Sequence, residues 1–194
     1  MYYHVYCPTQ NTCTPTQTAL DDAMQTWCCD GCSNARPTWQ EVDVAIEQPH
    51  PRVGPLNFVS GCCVGIVRRD FMTQLGPDIF QRDLYLGRLL GPSGDAVENW
   101  VTFRGRRRLI IRGDRHVSHR RCPICKRDIY FALGKPYLYP APPSDAEVFE
   151  SNLWGLVVAD SVLDRLDTTK HRTLRVEPIP IADTPRDGLA ILSL

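Results

Sequence analysis

The stretch Arg121-Cys122-Pro123-Ile124-Cys125-Lys126-Arg127, together with its counterpart Cys28-Cys29-Asp30-Gly31-Cys32-Ser33, decides how this chain is organised. A CxxC turn places two thiolates on one side of a tight loop, at a separation suited to two corners of a tetrahedron. Two such turns supply four soft ligands, Cys29, Cys32, Cys122 and Cys125, the donor set of a structural zinc site with four cysteines. Gly31 permits a positive φ in the first knuckle, and Pro123 fixes φ in the second. The pairs are separated by 89 residues, far more than the ~15–20 of a small zinc ribbon. A shared Zn2+ therefore ties the knuckle at 28–33 to the knuckle at 121–127, in the middle of a single domain over 1–194. Closing so long a loop is costly in the unfolded chain, so ligation is expected to contribute strongly to stability. Two other arrangements fit the same residues, a site at Cys122 and Cys125 completed by His116 or His119 and thiols without metal, and iron in a four-cysteine site satisfies the same spacing. A redox CxxC is not expected, because neither pair opens a helix after a strand. Catalytic zinc is not expected either, because it keeps an open position beside His or carboxylate ligands.

Leu56 to Val67 reads as one buried strand. Arg68 to Leu75 has Phe71, Met72 and Leu75 at helical spacing, stopped by Gly76-Pro77. Ile79 to Leu90 and Trp100 to Ile111 read as strands, the second closing at Gly113-Asp114, and Ile129 to Leu133 as a short one. Leu153 to Ala159 (LWGLVVA) is a stronger strand whose continuous apolar character calls for cover on both faces. Asp160 and Ser161 are N-cap candidates for a short helix to about Thr168. Leu174 to Ile181 resumes extended structure with prolines, as in an edge strand. The fold class is α+β, a mixed or antiparallel sheet with short helices, clamped by the four-cysteine zinc site.

The 194 residues carry 43% hydrophobic and 23% charged side chains, enough to bury a core. No segment approaches the roughly 18 to 20 apolar residues of a membrane-spanning helix, so no membrane partner is expected. The opening MYYHVYCPTQNTC does not read as a signal peptide, which points to a reducing cytoplasm, where nine cysteines are thiols or metal ligands rather than a disulfide framework. Cys28 is a possible ligand in a shifted register. Cys62 and Cys63 read as buried thiols, and Cys7 and Cys13 as surface-loop thiols.

Charge follows an acidic–basic–acidic order. The segment 1–51 and the segment 145–167 are acidic, and 104–127 holds ten bases against Asp114. Alternation places Arg104, Arg106 and Arg108 on one face, expected to be solvated and paired with the protein's own acids. Nucleic acid is not the expected partner, although a nucleic-acid-binding or regulatory module using Arg104–Arg121 is the alternative. No catalytic motif is present, so no catalytic residue is named and an enzyme is not expected.

The order of these features resembles the double-CXXCG motif proteins, a bacterial family of immunity proteins that neutralise a cognate toxin delivered between neighbouring cells. The matching stretches are Cys29-Asp-Gly-Cys32, Gly54-Pro-Leu-Asn-Phe58, Arg68 to Leu75, Cys122-Pro-Ile-Cys125 and Asn152 to Leu166, spanning about 25–182. Ser33 and Lys126 stand where that family carries the glycine after each pair. The resemblance implies a cytoplasmic, zinc-stabilised binding protein whose partner is a cognate protein toxin, with acids at 21–47 and 145–167 facing a basic partner surface.

Overall fold

The computed structural model describes residues 1–8, 13–34, 36, 40 and 42–187, and of 116, 117, 132 and 168 only the backbone. The chain runs β1 (Tyr2–Tyr6), α1 (Gln17–Asp22), β2 (Val44–Ala45), β3 (Leu56–Val59), β4 (Val64–Arg68), α2 (Arg69–Leu75), α3 (Pro77–Asp83), β5 (Leu84–Leu90), β6 (Ala96–Gly105), β7 (Arg108–Leu109), β8 (Ile111–Arg121), β9 (Asp128–Leu138), β10 (Val148–Ser151), β11 (Leu156–Ala159), α4 (Asp160–Leu163) and β12 (Arg175–Ile179). This is a mixed α+β fold. One sheet has the order β12-β1-β11-β10-β7 and a second β2-β5-β6-β4-β3, while β8 and β9 form a separate two-stranded ribbon. Both five-stranded sheets are antiparallel except for the parallel pairs β10–β7 and β2–β5.

Apolar spacing explains how the sheets meet. Phe71 and Leu75 lie on one stripe of α2, Phe80 projects from α3, and all three are fully buried. They pack with Val5, Leu156 and Val158 of the first sheet and Val67, Val101 and Phe103 of the second, so one core joins the two. Leu156, Val157 and Val158 are fully buried, as continuous apolar character requires. Leu153 and Trp154, read as part of that strand, are exposed and precede it.

Other boundaries differ from the sequence reading for identifiable reasons. The run 56–67 is a hairpin, with Leu56 opposite Val67, because Gly61 and Cys63 take left-handed backbone and reverse the chain (φ 75° and 54°). The run 79–90 begins as helix, since Pro77 at the first helical position starts α3 and strand follows only from Leu84. The run 100–111 breaks after Gly105, where Arg106 N–H donates to Asp83 O. Asp160 lies in the first turn of α4 rather than at its cap, which Ala159 occupies, and that helix ends at Leu163. β12 is an edge strand and carries Pro178, as expected.

The ribbon is the largest feature the sequence conceals. Its strands pair from Ile111 opposite Leu138 to Arg121 opposite Asp128, with two register shifts. At one of them Gly113 lies so close to the facing strand that a Cβ would collide with Leu133 O, so only glycine closes the ribbon there.

At the ribbon's base Arg112 and Asp187 form an ion pair, Nε to Oδ2 2.8 Å and Nη2 to Oδ1 2.5 Å, with side chains 1% and 0% exposed. Tyr130 OH also donates to Asp187, and burial together with that bond pushes its pKa up to about 12. Tyr137 OH accepts the backbone N–H groups of Arg186 and Asp187. These bonds pin the segment at 186–187 against the ribbon. Among the described residues no helix is long and apolar enough to cross a membrane.

Candidate metal centre

The second CxxC is the tip of the ribbon, residues 122–127 between β8 and β9. The first follows the π-helical turn Ala23–Trp27 that continues α1. Both knuckles close with the same two bonds. Cys29 N–H donates to Asn34 O (2.8 Å) and Ser33 N–H to Cys29 O (2.7 Å). Cys122 N–H donates to Arg127 O (2.8 Å) and Lys126 N–H to Cys122 O (3.0 Å). That closure needs left-handed backbone at the residue after the second cysteine, and Ser33 and Lys126 supply it at φ 55° and 61°.

The positive φ expected at Gly31 thus falls on Ser33 instead. Gly31 serves close approach: a Cβ there would lie 3.0 Å from Cys122 Sγ and 3.1 Å from Ile124 Cδ1, so the knuckles abut through it. Left-handed backbone costs an L residue about 1–2 kcal/mol. Ser33→Gly and Lys126→Gly are therefore each expected to raise stability, by about 0.5–1 kcal/mol after glycine's own entropic penalty. Denaturant midpoints measured on metal-loaded protein check this, and a lower midpoint in both variants contradicts the assigned backbone.

The four sulfurs of Cys29, Cys32, Cys122 and Cys125 lie within 4.8 Å of one another. Two close separations run between knuckles, Cys29 to Cys122 at 3.7 Å and Cys32 to Cys125 at 3.6 Å. A tetrahedron with metal–sulfur bonds of about 2.3 Å has sulfur–sulfur edges of about 3.8 Å, so the donor set fits one ion shared by both turns. A closed shell of four thiolates leaves no open coordination position. Backbone N–H groups of Cys125 and Ile124 directed at Cys122 hold its thiol down at about 6 against the opposing effect of burial. Burial pushes Cys125 up to about 12. Four thiolates outweigh the charge of a dication, and Arg108, Arg121, Lys126 and Arg127 line the cavity of about 680 Å3 beside them. That concentration of positive charge offsets the negative charge of the centre.

Much of the rest of the basic run is absorbed by the fold, while Arg115 and Arg120 on the ribbon stay exposed. Arg104 is buried, and Arg106, past the turn at Gly105, stacks over the Tyr85 ring at 4.3 Å. Arg107 pairs with Asp145, Arg112 with Asp187, and Arg108 Nη1 donates to Asn34 Oδ1 (3.1 Å), linking β7 to the first knuckle. The single solvated face expected for Arg104, Arg106 and Arg108 is not formed, because the strand ends between the first and second of them. Several expected acids are likewise engaged internally: Asp43 with Arg88, and Glu147 with Arg82.

His119 does not join the thiols; its Nε2 lies 2.9 Å from Asp128 Oδ1 across the ribbon. The side chain of His116 lies outside the described residues. Cys28 is not a fifth donor but faces Cys63, Sγ to Sγ 3.4 Å. Cys62 is fully buried, whereas Cys63 is half-buried. Cys13, expected in a surface loop, is buried, which pushes its thiol up to about 11. Cys7 is half-buried beside Thr173. Asn34 is a residue that sequence reasoning missed. Its carbonyl closes the first knuckle and its amide oxygen holds Arg108; the only signal is its place five residues after Cys29, matching Arg127 after Cys122. No family model matches the chain, and no curated protein matches it.

Proposed function

We propose that this chain is a cytoplasmic immunity protein that binds and neutralises a cognate bacterial protein toxin, with zinc as the structural metal of its four-cysteine centre. The observation that carries the reading is the convergence of two like-folded CxxC knuckles, each followed by left-handed backbone at the position where double-CXXCG proteins have glycine. Ser33 and Lys126 differ from that glycine in identity, while the left-handed backbone they adopt is one that glycine takes without strain. Zinc suits four soft thiolates in a closed tetrahedral shell and supplies a cross-link there without chemistry of its own. The residues do the rest. Gly31 lets the turns abut, Asn34 joins knuckle to sheet, and the ribbon carries the exposed side chains Ile124, Phe131 and Leu133 beside Arg115, Arg120 and Arg121. Apolar anchors with a charged rim are the composition of a protein interface, and a clamped ribbon loses little freedom on binding.

The test begins with capture of partners on the tagged, metal-loaded chain from lysate of its source cell, with and without nuclease. Each stoichiometric protein partner is then expressed in a naive host alone and together with this chain. The expected result is a nuclease-resistant partner that arrests the host alone and is tolerated on co-expression. Recovery of nucleic acid, or a partner whose expression is harmless, overturns the reading, the former in favour of nucleic-acid binding.

A further inference from the structure

Outside the metal centre a second pair of thiols is in contact. Cys63 lies in the β3–β4 turn at φ 54°, a conformation L side chains rarely adopt. Its sulfur stands 3.4 Å from Cys28 Sγ and donates to Ser33 O at 2.9 Å. Its neighbour Cys62 turns away and is buried, Sγ toward Ala19 O at 3.9 Å. The two partners differ in access. Cys28 is buried, whereas Cys63 is half-buried and lines a cleft of about 200 Å3 with Asn34, Phe58, Arg108 and Trp154.

We propose that Cys28 and Cys63 are an oxidation site distinct from the metal ligands, where a hydroperoxide converts two facing thiols into a disulfide stapling the β3–β4 turn to the first knuckle. The Cys63 thiol, reached through the cleft, passes its proton to solvent, and the thiolate attacks one oxygen of hydrogen peroxide. The O–O bond breaks, the departing hydroxide leaves as water with the proton returned from solvent, and Cys63 becomes a sulfenic acid. The Cys28 sulfur then attacks Cys63 Sγ and the S–O bond breaks. The hydroxyl leaves as a second water with the Cys28 proton, and an S–S bond of about 2.05 Å forms. Two thiols are oxidised by two electrons and one peroxide is reduced to two waters. Cys28 directly precedes the ligand Cys29, so the staple anchors the first knuckle to the second sheet without using a metal-bound sulfur.

The metal-loaded full chain is treated with equimolar hydrogen peroxide, its remaining thiols are alkylated, and it is analysed by intact mass, peptide mapping and metal content. The expected result is a mass about 2 Da lower before alkylation and two fewer alkylated thiols after it, a cross-link joining the Cys28 and Cys63 peptides, and unchanged metal. Cys63→Ser removes the mass loss while keeping the metal, and Cys62→Ala oxidises as the parent does. A cross-link through Cys29, Cys32, Cys122 or Cys125, metal release on oxidation, or no cross-link at all overturns the proposal. The peptide map of the unaltered chain decides the matter even where a variant folds poorly.

Discussion

Replacing either Cys29 or Cys125 by serine is expected to release the bound metal and to lower the melting temperature by about 10–15 °C. The size follows from the loop the metal closes. Cys32 and Cys122 are separated by 89 residues, and a cross-link over a loop of that length removes about 4–5 kcal/mol of unfolded-chain entropy. In a chain of this size each 1 kcal/mol moves the melting temperature by about 2–4 °C. Both substitutions open the same clamp, one from the helical side and one from the ribbon tip, so their effects are expected to be similar and not additive. Cys62→Ala, whose sulfur faces Ala19 O and not the metal, is expected to keep full metal content. Metal content and thermal melts of the three variants check the set. Full occupancy and unchanged melting in both serine variants would rule out a shared site.

Asp187→Ala is expected to cost about 3–5 kcal/mol, because it leaves the Arg112 guanidinium buried without its carboxylate. The pair is held by two bonds at 2.8 and 2.5 Å, with Tyr130 OH as a third donor to the same carboxylate. Both side chains are sealed from solvent, so water cannot replace the lost partner. The double variant Arg112→Met with Asp187→Leu is expected to recover most of the loss, because a buried ion pair exchanged for apolar groups of similar volume is often neutral. Chemical denaturation of the two variants provides the comparison. A loss below about 1 kcal/mol in Asp187→Ala contradicts the assignment of this pair as the anchor of the segment at 186–187.

These two features differ in how far they can be read from the sequence. Each CxxC is local: residue type and a spacing of three announce the ligands, and only their convergence requires the fold. The left-handed residues are hidden, because nothing in serine or lysine advertises positive φ, and Gly31 draws attention to the wrong position. The Arg112 pair is hidden by distance, its carboxylate lying 75 residues onward in a segment with no motif. Charge counting finds the excess of arginine, but it does not separate Arg104 and Arg112, which are buried, from Arg120 and Arg121, which are exposed.

Strand reading succeeds where burial covers both faces, as at Leu156–Val158. It fails for β8, where Arg, Ser and His leave little apolar alternation to detect. It also fails at 79–83, where Ile79 and Phe80 are adjacent and the helix is announced only by Pro77 at its start. At 56–67 the apolar content does mark core, but a tight turn of small residues within it reverses the chain.

Two distant knuckles place four sulfurs around a single position that one ion can fill. X-ray absorption at the metal edge, on protein whose metal content has been quantified, tests this arrangement most directly. One zinc per chain with four sulfur neighbours at about 2.3 Å is expected. A shell containing nitrogen or oxygen neighbours, or well under one ion per chain, contradicts it.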